Sequence, residues 1–205
     1  MQIIDLIIPI AIIMISIVVH EVSHGYVANL LGDPTARLAG RLTLNPIRHL
    51  DLMGSIIIPG LLLAFGGFIF GWAKPVPYNP HQLRGGKWGP AYVALAGPAS
   101  NFLLAIVFAV VLRFNISLMF FSPAAVSLLT MIVVWNVMLA IFNLIPIAPL
   151  DGSKILFALI PYRYRHLEAW MERNQFIILI ALVMLILNTN IISSLVMMVS
   201  KLLIG

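Results

Sequence analysis

Apolar runs of about 20 residues recur along this 205-residue chain, and they limit its possible folds more than any other feature. A helix needs roughly 20 consecutive apolar residues to cross the hydrocarbon core of a bilayer. Hydrophobic residues make up 61% of the sequence and charged residues only 9%, a balance that excludes an ordinary soluble domain. The sequence therefore predicts an all-α polytopic membrane protein, with a single membrane-embedded domain over residues 1–205.

The runs and the breaks between them predict about 5 to 6 membrane segments. The first run covers about residues 3–31, and its start lacks the basic region and cleavage site of a signal peptide, so we expect a retained span. Further spans are expected at about 91–112 and 124–145. The last apolar stretch, 176–204, is interrupted at 188–190 and is compatible with either one span or two.

The run 52–70 differs from the others because it contains Pro59, Gly60, Gly66 and Gly67, which break helices. Basic loops precede and follow this run, and the positive-inside rule places both loops on the cytoplasmic side. Their basic residues are Arg37, Arg41, Arg48, Lys74, Arg84 and Lys87. We therefore predict a re-entrant segment, which enters and leaves the membrane by the same face. Before it, residues 35–45 alternate loosely around a small-residue turn, which predicts a short β-hairpin after the first span.

The first span carries two histidines and a glutamate in the stretch HEVSH, residues 20–24. His20 and His24 are four residues apart, so on a helix they share one face and both imidazoles can reach one metal ion. Glu21 lies on the flank of that face, where its carboxylate can contact a water at the metal without binding the metal itself. This is the HExxH arrangement, in which the glutamate is the general base. Ionisable groups inside a membrane are rare and mark functional sites, which favours this interpretation over histidines that merely bond nearby carbonyls.

A catalytic zinc requires three protein ligands, so one must come from another part of the chain. Asp151 is the preferred candidate because it stands in PLDG at the end of an apolar span, where a carboxylate without a partner is costly. The alternative interpretation of Asp151 is a helix N-cap. With 52–70 re-entrant, Asp151 reaches the same side of the membrane as His24; with 52–70 crossing fully, it does not. The other candidates are Asp5, Asp33, Asp51, Glu168, Glu172, His49, His81 and His166.

Three stretches, in this order, carry a resemblance to a known family: HEVSH, AGPASN at 96–101 and NLIPIAPLDG at 143–152. With them the chain resembles the site-2 protease family of intramembrane zinc metalloproteases, over about residues 15–160. GRLTLNPIRHLD and GWAKPVPYNP resemble a compact prokaryotic branch, and neither a PDZ insertion nor a nucleotide-sensing domain is found.

The resemblance implies one zinc ion per chain, bound by His20, His24 and Asp151, with Glu21 as the catalytic base. The metal itself is inferred, since two histidines and a carboxylate also suit iron or cobalt. Gly97 and Asn101 correspond to the family's GxxxN element. We interpret these two as residues that let helices pack closely.

The resulting hypothesis is an intramembrane zinc metalloprotease that hydrolyses peptide bonds within or near transmembrane segments of membrane protein substrates. Its partners are a transmembrane protein or peptide and the lipid bilayer. Nucleic acid is not expected, because the basic residues lie in short loops where they meet lipid headgroups. The expected location is the cytoplasmic membrane of a prokaryote, with the active site towards the cytoplasm. Two rivals are a metal transporter that uses the same ligands and a catalytically inactive membrane scaffold.

Two asparagines and the predicted hairpin are candidates for contacts with substrate. Asn136 and Asn143 are interpreted either as residues that bind the substrate backbone or an oxyanion, or as hydrogen-bonding contacts between helices. A substrate helix must unwind before it is cut, and an edge strand at residues 35–45 would bind the freed backbone groups. A plain loop is the alternative for these residues.

Overall fold

In the computed structural model the described residues are 3–57, 60–61, 73–118 and 121–205, and within them all regular structure is helical. The α-helices are α1 (Ile3–Leu30), α2 (Thr35–Leu38), α3 (Gly89–Leu118), α4 (Pro123–Asn143), α5 (Asp151–Leu159), α6 (Arg165–Arg173), α7 (Gln175–Asn188) and α8 (Ile191–Ile204). A π-helical stretch covers Leu52–Ile57, and 3₁₀ turns cover Pro46–His49, Pro80–Gln82, Gly86–Trp88 and Tyr162–Tyr164. The all-α prediction is confirmed for the described residues.

The expectation of 5 to 6 membrane segments is not supported. Among the described residues, α1, α3 and α4 are long and apolar enough to cross a membrane, and α6 with α7 adds a fourth only if that pair, bent by 74°, counts as one span. Helices α7 and α8 have 14 residues each and rise only about 21 Å, short of the roughly 30 Å core. Most of the predicted re-entrant run lies outside the described residues.

The predicted hairpin at residues 35–45 is wrong. Within this range, all of which is described, residues 35–38 form α2 and Gly40 turns the chain with a φ of 64°. The alternating pattern failed because neighbouring residues both point inwards: Leu42 lies against Gly25 of α1, and the Arg41 side chain is buried, with its Nη2 donating to the carbonyl oxygen of Lys74 at 2.7 Å. The segment is thus held by a side chain and not by a strand ladder.

A buried polar cluster joins the three long helices, with one residue from each. Asn101 of α3 donates through Nδ2 to the side-chain oxygen of Asn136 of α4 at 2.8 Å and to the carbonyl of Ser16 of α1 at 3.3 Å. Asn136 in turn donates to the Ser16 hydroxyl at 3.0 Å. All three side chains are buried. Because polar groups need partners in an apolar medium, this cluster fixes the depth at which the helices meet.

Helix α3 divides the protein into an apolar end and a polar end. Beyond Asn101, an apolar core forms where α3, α4 and α8 meet, and small alanines on α3 allow the helices to approach closely. Its buried members are Ala105, Ala109, Leu112, Val133, Val137 and Val196. Before Asn101, α3 packs against the second half of α1, which carries HEVSH. The core thus supports one end of the helix bundle while the polar residues gather at the other.

Candidate metal centre

The structure brings Asp151 to the two histidines of α1. Helix α4 ends at Asn143, the chain turns through residues 144–150, and α5 begins at Asp151. Pro146 and Pro149 prevent a continuous helix through this turn. Gly152 is required for it, because a Cβ there would collide with the backbone of Leu144. The turn thereby places the carboxylate of Asp151 opposite α1.

Three ligand atoms converge at this point. Asp151 Oδ2 lies 3.1 Å from Nε2 of His20 and 3.3 Å from Nε2 of His24. Each of the three residues offers one ligand atom, and these atoms all lie within 4.8 Å of one another. Asp151 Oδ2 is buried and receives no hydrogen bond from any described residue. The site therefore has a buried carboxylate oxygen whose nearest polar neighbours are the Nε2 atoms of two histidines.

The hydrogen bonds on the far side of each imidazole fix where its proton lies. Nδ1 of His20 lies 2.6 Å from Asn101 Oδ1, and Nδ1 of His24 lies 2.7 Å from the carbonyl oxygen of Val93. Both partners are acceptors only, and the orientation of the Asn101 amide is set by its own two donations to Asn136 and Ser16. Each Nδ1 must therefore carry a proton, and in the neutral imidazole the lone pair of Nε2 then faces Asp151, which is the form that binds a metal.

This donor set fits a metal ion. Two imidazole lone pairs and a carboxylate oxygen facing one another repel unless a cation lies between them. Two histidines and one carboxylate are a known catalytic zinc set that leaves the fourth position open, and the outer hydrogen bonds to Asn101 and Val93 are the kind that orient ligating histidines. The group His20, His24 and Asp151 can thus hold zinc.

Gly97 gives the two imidazoles their space. A Cβ at this position of α3 would lie 2.5 Å from Nε2 of His24 and 2.6 Å from Cε1 of His20, so any other residue would displace the ligands. Asn101, one turn further along α3, orients His20. Gly97 and Asn101 therefore do more than allow helices to pack closely, because both contact the histidines that could hold a metal.

Glu21 faces the same site but is not one of the three converging ligands. Its Oε2 accepts a hydrogen bond from the backbone N–H of Val76 at 2.8 Å. Val76 belongs to residues 74–79, which we call the strap and some of which line the same cavity as the two histidines. Arg41 supports the strap through its hydrogen bond to the Lys74 carbonyl. Sequence reasoning missed the strap, although the prolines of KPVPYNP already indicated an irregular segment.

Comparison with known proteins assigns the family. Residues 115–187 match the sequence profile described as "Peptidase family M50". The Bacillus subtilis protein named "Putative zinc metalloprotease YwhC" is 37% identical over 175 residues, which are 83% of this chain and 77% of that relative. The chain belongs to peptidase family M50, the site-2 proteases. It is accordingly a zinc metalloendopeptidase in a membrane-bound family.

More distant M50 relatives cover the chain as well. Rip2 of Mycolicibacterium smegmatis is 32% identical over 142 residues, 68% of this chain and 52% of that protein. "Zinc metalloprotease MJ0392" of Methanocaldococcus jannaschii is 29% identical over 190 residues, 90% of this chain and 44% of that protein. The chain thus spans about half the length of these two relatives. No solved structure matches it significantly.

The site of this M50 protease opens into a cavity of about 270 Å³. Glu21 and the three residues that could hold a metal line it, together with Tyr78, Asn143 and Lys154. Of the two asparagines considered for substrate contact, Asn143 therefore reaches the cavity, whereas Asn136 is fully buried in the cluster between the helices and does not line it. Within the described part of the chain, no other cluster of histidines and acids could hold a metal.

The hydrogen bond from His20 to Asn101 is expected to contribute measurably to the zinc affinity of the site. Asn101→Ala is expected to weaken zinc binding by about 10- to 100-fold, because His20 loses the acceptor that fixes its tautomer and ring orientation. The dissociation constant is measured in detergent by competition with a chromophoric chelator. Asn136→Ala is the control, since it disturbs the same cluster but leaves the bond from Asn101 to His20. Equal zinc affinity in wild type and Asn101→Ala would contradict the assigned tautomer.

Proposed function

We propose that the chain is an intramembrane zinc metalloprotease, which hydrolyses peptide bonds within or near transmembrane segments of membrane protein substrates. The observation that carries this proposal is the position of the metal-binding histidines. His20 and His24 lie in the portion of α1, Ile7–Leu30, that is long and apolar enough to cross a membrane. A catalytic group placed there acts on chains that are themselves in the membrane.

The roles of the site residues follow from their contacts. We propose that His20, His24 and Asp151 hold the zinc ion. Bound zinc supplies Lewis acidity, which lowers the pKa of water and polarises the scissile carbonyl. Glu21 takes the proton of the attacking water and gives it to the leaving amine. The Val76 amide engages Oε2 of Glu21, which leaves Oε1 to face the water.

The asparagines receive separate roles in this proposal. Asn143 ends α4 at the wall of the cavity, and its Nδ2 donates to the carbonyl of Leu139 at 3.0 Å, so its side-chain oxygen remains available to accept from a substrate N–H. We assign Asn143 to substrate binding. Asn136 has no access to the cavity, and we assign it to the contact between the helices. Because the hairpin is absent, residues 35–45 are no longer proposed to bind substrate as an edge strand.

The proposed location is the cytoplasmic membrane of a prokaryote, with the site towards the cytoplasm. Its support is the charge of the loops at the site end of the bundle, since residues 32–51 and the segment from 73 to 89 both carry basic residues. The strap belongs to the second of these loops and contacts Glu21 directly. The end of α1 that carries the ligands is therefore the end where basic residues concentrate.

The proposal is tested by cleavage of a single-span protein by the purified protease in detergent, with the cut mapped by mass spectrometry. We expect a cut within or beside the apolar segment. The matched control is the same substrate with charged residues in place of the apolar segment. This control should not be cut within or beside that segment. A cut confined to the soluble part in both substrates would overturn intramembrane proteolysis. Zinc uptake into proteoliposomes without any cleavage would indicate the transporter instead.

A further inference from the structure

The strap is pinned on both sides of Tyr78. On one side the Val76 N–H binds Glu21, and on the other the Asn79 N–H binds Oδ2 of Asp33 at 2.6 Å. Asp33 is buried and also accepts from Thr35. Burial works against its charge, but the hydrogen bonds from Thr35 and Asn79 prevail and lower the pKa of this carboxyl. Asp33 therefore remains ionised at neutral pH, and its hydrogen bond to Asn79 holds the backbone of the strap in place beside the site.

The ring of Tyr78 is also held in place, by apolar packing. It packs against the apolar cluster of Ala28, Leu83 and Val93. Val93 is also the residue whose carbonyl accepts from His24, so the ring and a metal ligand rest on the same residue of α3. From this packing the tyrosine lines the cavity beside the metal-binding group. A side chain fixed in this way can direct its hydroxyl to one point without a large entropic cost.

Among the side chains with donor groups that line the cavity, Tyr78 is the one whose donor makes no hydrogen bond within the described residues. Lys154 is paired with Glu172, Nζ to Oε1 at 2.5 Å, and Asn143 already donates to Leu139. Asn101, which carries an amide near the histidines, is fully buried and donates to Ser16 and Asn136. The hydroxyl of Tyr78 makes no hydrogen bond to any residue that the structure describes.

We propose that Tyr78 is a further catalytic residue, whose phenol donates a hydrogen bond to the oxyanion that forms on the scissile carbonyl. This inference rests on the proposed proteolytic function. Burial raises the pKa of the Tyr78 phenol above its ordinary value, so the group stays protonated and remains a donor throughout the reaction. Donors fixed in advance around a developing oxyanion are among the strongest contributors to acyl-transfer catalysis.

The electron and proton balance of the step is simple. The water oxygen forms a bond to the carbonyl carbon, the water proton moves to Glu21, and the carbonyl π pair moves to the oxygen, where Tyr78 stabilises the negative charge. On collapse the C–N bond breaks, the pair returns to the carbonyl, and Glu21 protonates the leaving nitrogen. Tyr78 donates a hydrogen bond and keeps its proton, so no co-reactant is needed.

The test compares Tyr78→Phe with wild type in cleavage of the single-span substrate. Removing one oxyanion donor is expected to lower kcat by about 100-fold and to leave KM nearly unchanged. Binding of a peptide phosphonate, whose tetrahedral phosphorus replaces the scissile carbon, is measured by calorimetry and should weaken by a similar factor. Zinc content should not change. Tyr92→Phe deletes the same atom from a tyrosine of α3 that is 51% exposed, and should behave like wild type.

The outcomes separate this inference from the proposed function. If wild type cleaves the substrate but Tyr78→Phe has the same kcat and the same phosphonate affinity, the donor role is overturned and the protease assignment stands. A rise in KM alone would show that the hydroxyl binds the substrate before the reaction, and this result would also overturn the donor role. If wild type does not cleave, the proposed function has failed, and unchanged phosphonate binding in Tyr78→Phe then rejects the donor role by itself.

Discussion

Glu21→Gln is expected to lower peptide-bond hydrolysis by about 1000-fold while the protein keeps its zinc. General base catalysis by a positioned side chain contributes roughly 100- to 10,000-fold, and glutamine cannot take a proton from water. The change is nearly isosteric, and the amide oxygen can still accept from the Val76 N–H. Because Glu21 is not one of the three converging ligands, the metal site should be unaffected. The measurement is single-turnover cleavage, with metal content determined by mass spectrometry on the same sample.

The control for Glu21→Gln is the same change at Glu168, which lies on α6 away from the metal cavity. Glu168→Gln should cleave at the wild-type rate. Near-normal turnover in Glu21→Gln would show that another group takes the proton. Loss of zinc together with activity would show instead that Glu21 is a metal ligand, and the roles assigned here would have to be exchanged.

Asp151→Ala is expected to leave the purified protein with far less than one zinc per chain and with background activity. Only two imidazoles then remain, whereas a catalytic zinc needs three protein ligands. The loss also removes the single negative charge among the converging atoms, so metal affinity falls by more than the count of ligands alone suggests. Zinc per chain and cleavage are measured after purification and again after addition of excess zinc, which should restore activity only in part.

Asp151→Asn serves as the matched variant for this experiment, because it keeps the volume of the side chain at the start of α5 and removes only the charge. It should lose zinc nearly as completely as the alanine variant. If Asp151→Asn keeps one zinc and full activity, the anionic ligand lies elsewhere. If both variants keep zinc and only Asp151→Ala unfolds more easily, Asp151 is a helix-capping residue, which was the alternative left open by the sequence, since asparagine caps a helix about as well as aspartate.

The parts of the fold that were predicted correctly depend on local rules. Helical membrane spans at α1, α3 and α4 follow from run length alone, since a bilayer admits backbone only when its polar groups are paired within the segment. The spans that were overcounted, and the hairpin that is absent from residues 35–45, depended on weaker signals. In the hairpin the decisive residue was Arg41, whose carbonyl partners at Lys74 and Pro75 lie far along the chain.

The sequence by itself determined the first half of the site, because the spacing of His20, Glu21 and His24 becomes a shared helix face as soon as α1 forms. It also singled out Asp151, because a carboxylate at the end of an apolar span needs a partner. Only the tertiary structure decided the remaining contacts. The tautomer of His20, the support of Glu21 by Val76 and the place of Tyr78 in the cavity all join segments distant in sequence. Such contacts depend on how helices pack and where a strap crosses them, and no local spacing encodes either.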